Sequence, residues 1–189
     1  MEQKAENNRT SASATDYVRQ AASRARSKDE QLNIIEQTAK EQGVWIDDYS
    51  SLGDYFSKGG ENEVYYNLAE NRVYKLNNFE YAGDDVSNFF TRIDIHNELF
   101  GNVPYSIVGF AKNSSGETSA VLKQPYIEAE REATEREIAS YMEALGFEMG
   151  YSDDFTNNKY NVFDAGPNNV LFGTDGRLYF IDTQIRKMF

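Results

Sequence analysis

The chain has 189 residues, of which 40% are hydrophobic and 14% aromatic, enough for one domain with a real core and a small appendage. Its formal net charge of −12 argues against a nucleic-acid partner, because phosphate backbones are bound by basic surfaces. The absence of cysteine and the single histidine exclude disulfides, thiolate metal sites and sites with several histidines.

Membrane and export signals are also missing from the sequence. No apolar run is long enough to span a bilayer, and the first residues do not resemble a signal peptide. We therefore expect a cytoplasmic protein without a membrane partner.

The first 49 residues divide into two parts. Residues 1–26 are polar and rich in small side chains, which predicts a disordered or loosely helical tail. Residues 27–49 form a predicted helical extension, because Ser27 and Glu30 have the spacing of a capping box. Leu32, Ile35 and Ala39 follow at helical spacing.

Residues 50–189 have the pattern of an α+β domain. "DYFSKGGENEVYYN" and "NRVYKLN" predict three antiparallel strands. A helix follows in "DDVSNFFTRIDIHNELF", then the strands "YSIVGFAK" and "TSAVLKQPYI". "ATEREIASYMEALGF" predicts a helix with Leu145 facing inward, and "NNVLF" and "RLYFID" form a predicted hairpin around an Asp-Gly turn.

This last hairpin suggests a site. Asn169 begins its first strand and Asp182 ends its second, so the two side chains should lie close together, with Asp164 just before them. An amide oxygen beside a carboxylate suits Mg²⁺ shared with phosphates. Alternatively, both residues are strand-end caps bonded to local backbone. The acidic residue at a short offset favours a phosphoryl-transfer site.

Several motifs in a fixed order resemble one family. They are "GENEVY", "VYKL", "HNELF", "QPYI", "DAGPNNVL" and "FID". In this order they resemble the small kinase-like domains found in polyvalent proteins of phages and mobile elements. The resemblance implies a minimal protein-kinase-like fold with a five-stranded antiparallel N-lobe, one main helix and a truncated C-lobe.

The resemblance also implies roles for individual residues. It makes Asp164 the residue that orients or deprotonates the acceptor, and it makes Asn169 and Asp182 the Mg²⁺ ligands. Lys75 would contact the phosphates of ATP, as would a shortened glycine loop at Gly59 and Gly60. The hinge segment, including Gln124 and Tyr126, would bind adenine through its backbone.

Other features of the resemblance leave alternatives open. Either Asp94 or Glu98 would pair with Lys75, and the sequence does not choose between them. His96 and Asn97 match the family motif, although a lone helical histidine is more often structural. Gly59, Gly60 and Lys75 have ordinary alternatives as a turn and a solvated lysine.

The sequence departs from protein kinases in ways that bear on function. "VFD" and "DTQ" replace His-Arg-Asp and Asp-Phe-Gly, and the sequence ends shortly after Asp182, so we expect neither an activation segment nor a helical substrate platform. The predicted function is an ATP-dependent phosphotransferase acting on a small-molecule or protein acceptor. The alternatives are a nucleotide-binding pseudokinase and a non-catalytic interaction domain of a longer polyvalent protein.

Overall fold

A computed structural model of the chain describes residues 11–188. Within this range the chain divides into two compact units. The first unit comprises residues 11–89 together with Ser106–Lys123, and the second comprises Phe90–Tyr105 and residues 124–188. The α+β class predicted from the sequence is confirmed, since helices and antiparallel strand pairs make up both units.

Four α-helices lie within the described residues. They are α1 (Ser11–Ala22), α2 (Lys28–Glu41), α3 (Ser87–Leu99) and α4 (Glu135–Ala144). None of the helices in this range is long and apolar enough to cross a membrane.

The strands of residues 11–188 form three sheets. They are β1 (Asp54–Lys58), β2 (Asn62–Asn67), β3 (Arg72–Asn77), β4 (Ser106–Lys112), β5 (Thr118–Pro125), β6 (Ala129–Glu132), β7 (Glu148–Met149), β8 (Phe155–Thr156), β9 (Tyr160–Phe163), β10 (Val170–Gly173), β11 (Leu178–Phe180) and β12 (Gln184–Lys187). The sheet orders are β1-β2-β3-β5-β4, β11-β10-β6 and β12-β9-β8-β7.

The two N-terminal helices pack on each other in the first unit. The predicted cap of α2 is confirmed, since the Ser27 side chain accepts a hydrogen bond from the Glu30 amide. In the segment expected to be disordered or loosely helical, residues 11–22 form α1, and the side chains of Val18 and Ala22 are fully buried. The rest of that expectation, for residues 1–10, lies outside the described residues.

The five-stranded sheet has an apolar core on one face. Tyr65 of β2 and Tyr74 and Leu76 of β3 pack there with Leu52. The chain after α2 runs along β4, the edge strand at one end of this sheet, where the Ile46 amide donates to the carbonyl of Phe110 at 2.8 Å. The predicted strands of this region are confirmed in order.

The core of the second unit forms around α4 and the strands of the C-terminal half. Ile138 and Met142 of α4 are buried in it, and Phe100 and Phe180 stack with ring centroids 4.3 Å apart. The prediction that Leu145 faces inward is wrong. Leu145 is the C-cap residue of α4 and is 41% exposed, because the chain turns away at Gly146 with a φ of +86°.

The sequence analysis did not identify β6, β7, β8 and β12 of this unit. β6 pairs with β10, and β12 pairs with β9. The β6 sequence "AERE" is exposed at all four positions, so it has none of the apolar alternation that indicates a strand. Backbone pairing alone defines it.

Candidate active site in two strand pairs

Asp164 and Asp182 lie at the same end of one strand pair. Asp164 directly follows β9, and Asp182 comes two residues before β12. The strands are antiparallel, with Gln184 opposite Phe163. The end of β9 and the start of β12 therefore lie side by side, which brings the two carboxylates into one region of the second unit.

A second strand pair adds Asn169 to the same place. Asn169 immediately precedes β10, and Val170 lies opposite Phe180 of β11. The pairing continues one step further, because the Ile181 amide donates to the Asn169 carbonyl at 2.9 Å. Asp182 is the next residue, so the predicted proximity of Asn169 and Asp182 follows from the hairpin register.

The Asn169 side chain links the two pairs directly. Its Nδ2 donates to the backbone carbonyl of Asp164 at 2.8 Å, and the residue is 9% exposed. Because the amide nitrogen is used in this bond, the side-chain orientation is fixed. The oxygen Oδ1 is then the atom with which Asn169 can coordinate a cation.

The carboxyl group of Asp164 is in an electrostatically unfavourable position. Although Asp164 is exposed as a residue, its carboxyl group is partly desolvated by the atoms packed around it, which raises its pKa. The nearby carboxylates of Asp153 and Asp182 raise this pKa further, and a hydrogen bond from Asn169 partly opposes them. The backbone of Asp164 is also unusual, with a φ of +58°.

Asp153 is the acidic neighbour that the sequence analysis missed. Its carbonyl accepts a hydrogen bond from the Ala165 amide at 3.2 Å. A Cβ added to Gly166 would lie 2.9 Å from Asp153 Oδ2, so this carboxylate lies against the loop that follows Asp164. No motif spacing marks Asp153, because it lies in the polar stretch "YSDDF".

The donor set of this region fits a magnesium ion that shares its ligands with phosphates. The Asp182 carboxylate and Asn169 Oδ1 could supply two protein oxygens, and Mg²⁺ is usually held by one or two carboxylates plus substrate phosphates. Additional protein ligands are not required for such a site. Among residues 11–188, no group of three or more His, Cys, Asp or Glu side chains is arranged to hold a metal.

The first unit carries the other predicted phosphate-contacting residues. Lys75 of β3 lies opposite Val64 of β2 and is 6% exposed. Since side chains alternate along a strand, Lys75 lies on the sheet face opposite its core-packed neighbours Tyr74 and Leu76. The predicted solvated alternative for Lys75 is therefore wrong.

Gly59 and Gly60 form the turn between β1 and β2. The Gly59 amide donates to the Asn62 carbonyl at 2.8 Å, and the Gly60 carbonyl accepts from Asn78 Nδ2 at 3.1 Å. A Cβ on Gly60 would lie 2.7 Å from the Tyr81 hydroxyl, so the turn passes close to this side chain. These contacts restrain the turn.

The predicted hinge residues differ in their exposure. Gln124 lies near the end of β5 and is 2% exposed, and its Nε2 donates to the Val103 carbonyl at 3.2 Å. Tyr126 follows the strand and is 44% exposed. The Gln124 side chain is thus used in a structural contact.

Both predicted carboxylates of α3, Asp94 and Glu98, are exposed. Glu98 Oε2 accepts a hydrogen bond from the Tyr160 hydroxyl at 3.1 Å. His96 and Asn97, between them, have structural contacts. His96 Nε2 lies 2.9 Å from the Val103 carbonyl, and Asn97 exchanges two hydrogen bonds with the Tyr105 backbone.

Comparison with known proteins adds one finding. Residues 28–188 match a family described as a serine/threonine/tyrosine kinase found in polyvalent proteins. No curated protein and no solved structure gives a match. The matched range begins at the first residue of α2 and contains both strand pairs that carry Asp164, Asn169 and Asp182. The chain therefore belongs to this family of kinases of polyvalent proteins.

Proposed function

We propose that the chain is a phosphotransferase that moves the γ-phosphoryl group of Mg²⁺-bound ATP to a hydroxyl group on a small molecule or a protein. One observation carries this proposal most strongly. The second unit brings Asp164, Asn169 and Asp182 together through two strand pairs and one side-chain hydrogen bond. The Asn169 bond to the Asp164 carbonyl is also what a strand-end cap would make, but a cap does not require the Asp182 carboxylate near Asp164.

In this proposal, Asn169 and Asp182 bind the metal. Asn169 contributes Oδ1, since its nitrogen is held by the Asp164 carbonyl, and Asp182 contributes its carboxylate. The Mg²⁺ ion, when bound, neutralises charge on the transferring phosphoryl group. Bound at these two residues, the cation would also offset the negative charge of the carboxylates near Asp164.

Residues of the first unit and of the hinge segment bind the nucleotide in the same proposal. The Lys75 ammonium contacts the phosphates, and the Gly59 and Gly60 backbone lies over them. Gln124 and Tyr126 contribute backbone groups to the adenine edge, which agrees with the structural use of the Gln124 side chain.

Asp164 is the proposed base. The acceptor oxygen forms a bond to the γ-phosphorus while the bond from that phosphorus to the bridging oxygen of ADP breaks, and the acceptor proton moves to the Asp164 carboxylate. Burial, the largest cause of the raised pKa, makes Asp164 a better proton acceptor than an ordinary aspartate.

The deciding experiment separates metal binding from proton transfer. The wild type, Asp164→Asn, Asp182→Asn and a control, Asp84→Asn, are compared for thermal stabilisation by ATP with and without Mg²⁺. Asp84 is an exposed carboxylate outside the second unit. At ligand one hundred times its dissociation constant, binding stabilises a protein by about 2.7 kcal/mol. Asp182→Asn should lose most of the Mg²⁺-dependent part, whereas Asp164→Asn should retain it.

The same variants are then assayed for transfer of labelled γ-phosphate, including autophosphorylation. Loss of a general base should lower turnover about one hundredfold or more in Asp164→Asn, with Asp84→Asn unchanged. Wild-type protein that binds Mg²⁺ and ATP without turnover above the Asp164→Asn background would instead be a pseudokinase. Absence of nucleotide binding would favour the other alternative, a non-catalytic interaction domain.

A further inference from the structure

The residue before Asp182 is held at both of its backbone polar atoms. The Ile181 amide donates to the Asn169 carbonyl at 2.9 Å. The Ile181 carbonyl accepts a hydrogen bond from the Tyr105 hydroxyl at 2.7 Å. Tyr105 lies just before β4, far from Asp182 in the sequence, and its side chain is 8% exposed.

Tyr105 is itself anchored to the end of α3. Its amide donates to Asn97 Oδ1 at 2.8 Å, and its carbonyl accepts from Asn97 Nδ2 at 2.9 Å. The His96 ring packs on the Tyr105 ring with centroids 4.5 Å apart. Backbone and ring are thus both fixed, and so is the direction of the hydroxyl. This gives the paired His96 and Asn97 of the family motif a physical role.

α3 also holds the chain on the other side of Asp182. The buried Arg92 donates from Nη1 to Oε1 of Gln184, the first residue of β12. Arg92 contacts residue 184 directly, whereas Asn97, five positions further along α3, is linked to residue 181 through Tyr105. The segment that carries Asp182 is therefore held by the same helix at both ends.

We propose that Tyr105 is a positioning residue for Asp182: its hydroxyl, set by Asn97, fixes the backbone from which the Asp182 carboxylate projects. α3 thereby controls the geometry of the metal ligand without touching the metal. The assignment of Asp182 as a metal ligand rests on the proposed function, whereas the hold on the backbone is independent of it.

The size of the expected effect follows from how metal sites respond to their outer contacts. Removing a group that orients a metal ligand typically lowers metal affinity about 10- to 100-fold. Tyr105 acts on the backbone of the preceding residue, so we expect the lower end, about tenfold, for Tyr105→Phe. The phenylalanine retains the ring contact with His96 and removes only the hydroxyl.

The test compares Tyr105→Phe with Tyr160→Phe. The control also removes a hydroxyl that bonds to this part of the molecule, but its acceptor is the Glu98 carboxylate rather than the 181–184 segment. Two measurements are made: hydrogen exchange of the nucleotide-free protein, and the Mg²⁺ concentration that gives half-maximal ATP binding. Asn97→Ala is a second variant, which releases Tyr105 itself.

Tyr105→Phe should speed amide exchange locally at residues 181–184, with α4 unchanged, and raise the half-maximal Mg²⁺ concentration about tenfold. ATP affinity at saturating Mg²⁺ should change little, a separation that general loss of stability would not produce. Asn97→Ala should give the same local pattern. Unchanged exchange at residues 181–184 in Tyr105→Phe, or an equal effect in Tyr160→Phe, would overturn the inference.

The two proposals fail separately. Wild-type protein without Mg²⁺-dependent ATP binding would contradict the proposed function, and the exchange measurement would still decide whether Tyr105 holds the segment. Normal Mg²⁺ and ATP binding in the wild type, with the same Mg²⁺ requirement in Tyr105→Phe, would contradict the positioning role alone.

Discussion

Replacing Tyr65 with phenylalanine would remove one hydrogen bond from a buried carboxylate beside the Gly59–Gly60 turn. Glu63 is 1% exposed, and its Oε1 accepts from the Tyr65 hydroxyl at 2.5 Å. Its Oε2 accepts from Ser114 Oγ at 2.6 Å and from the Ser114 amide at 3.1 Å, and it lies 3.7 Å from Lys58 Nζ. These contacts join β1, β2 and the turn after β4.

The expected loss of stability follows from the charge and burial of this bond. A hydrogen bond to a charged group contributes about 1.5–3 kcal/mol net, and the Tyr65 hydroxyl is the partner of one buried carboxylate oxygen. We expect Tyr65→Phe to lower the free energy of unfolding by about 2 kcal/mol. In a protein of this size that corresponds to a fall of about 4–8 °C in the melting temperature.

The matched control is Tyr66→Phe, the next residue on β2. The Tyr66 hydroxyl donates to Asn71 Oδ1 at 3.3 Å in an exposed contact, so its removal should change stability by no more than about 0.5 kcal/mol. Both variants are measured by thermal melts and urea unfolding. Equal effects of the two substitutions would refute the importance of the Glu63 network.

The pH dependence gives an independent check of the same reasoning. Burial alone would raise the pKa of Glu63, but the hydrogen bonds from Ser114 and Tyr65 outweigh it, so the folded-state pKa lies below the ordinary value. A lowered carboxyl pKa contributes stability above the unfolded-state pKa, and this is lost as pH falls through the folded-state pKa. The difference between wild type and Tyr65→Phe should therefore shrink below about pH 4. A difference that grows towards acid would contradict this assignment.

Two further predictions concern the site and the N-terminal helices. Asp164→Asn should raise the free energy of unfolding of the nucleotide-free protein at pH 7 but not at acidic pH. Burial and neighbouring carboxylates raise the Asp164 pKa, so the stability that protonated Asp164 contributes is lost as the pH rises through that pKa. Urea unfolding across pH tests this, and a less stable variant at pH 7 would contradict it. Val18→Ala should lower stability by about 2 kcal/mol, since Val18 is fully buried, and an unchanged urea midpoint would count against the packing of α1.

Local sequence signals were sufficient for the part of the site that depends on strand pairing. The Asp-Gly turn fixes the register of the hairpin, and the register determines which residues meet at its open end. Asn169 and Asp182 could be predicted as neighbours for this reason. The cap of α2 was equally accessible, because Ser27 and Glu30 lie within one helical turn.

Contacts between distant segments left no comparable signal. The Tyr105 hydroxyl donates to the backbone carbonyl of Ile181, which lies 76 positions away in the sequence. Because the acceptor is a backbone atom, almost any residue type at position 181 would offer it. Asp153 is near Asp164 because of the irregular chain between β7 and β8, where Ser152 has a φ of +58°. β6 is recognised only by its partner β10. Spacing rules apply within an element or a hairpin and do not extend to such contacts.

The structure combines a rigid backbone with an unfavourable arrangement of charge at the candidate site. Asn169, Ile181 and Gln184 are each held by hydrogen bonds, so the chain cannot easily move the carboxylates of Asp164 and Asp182 apart. The repulsion that raises the Asp164 pKa is therefore retained in the folded protein. A proton or a cation relieves it, and the two compete for the same negative charge. Under the proposed function, Mg²⁺ binding at Asn169 and Asp182 should accordingly weaken as the pH falls.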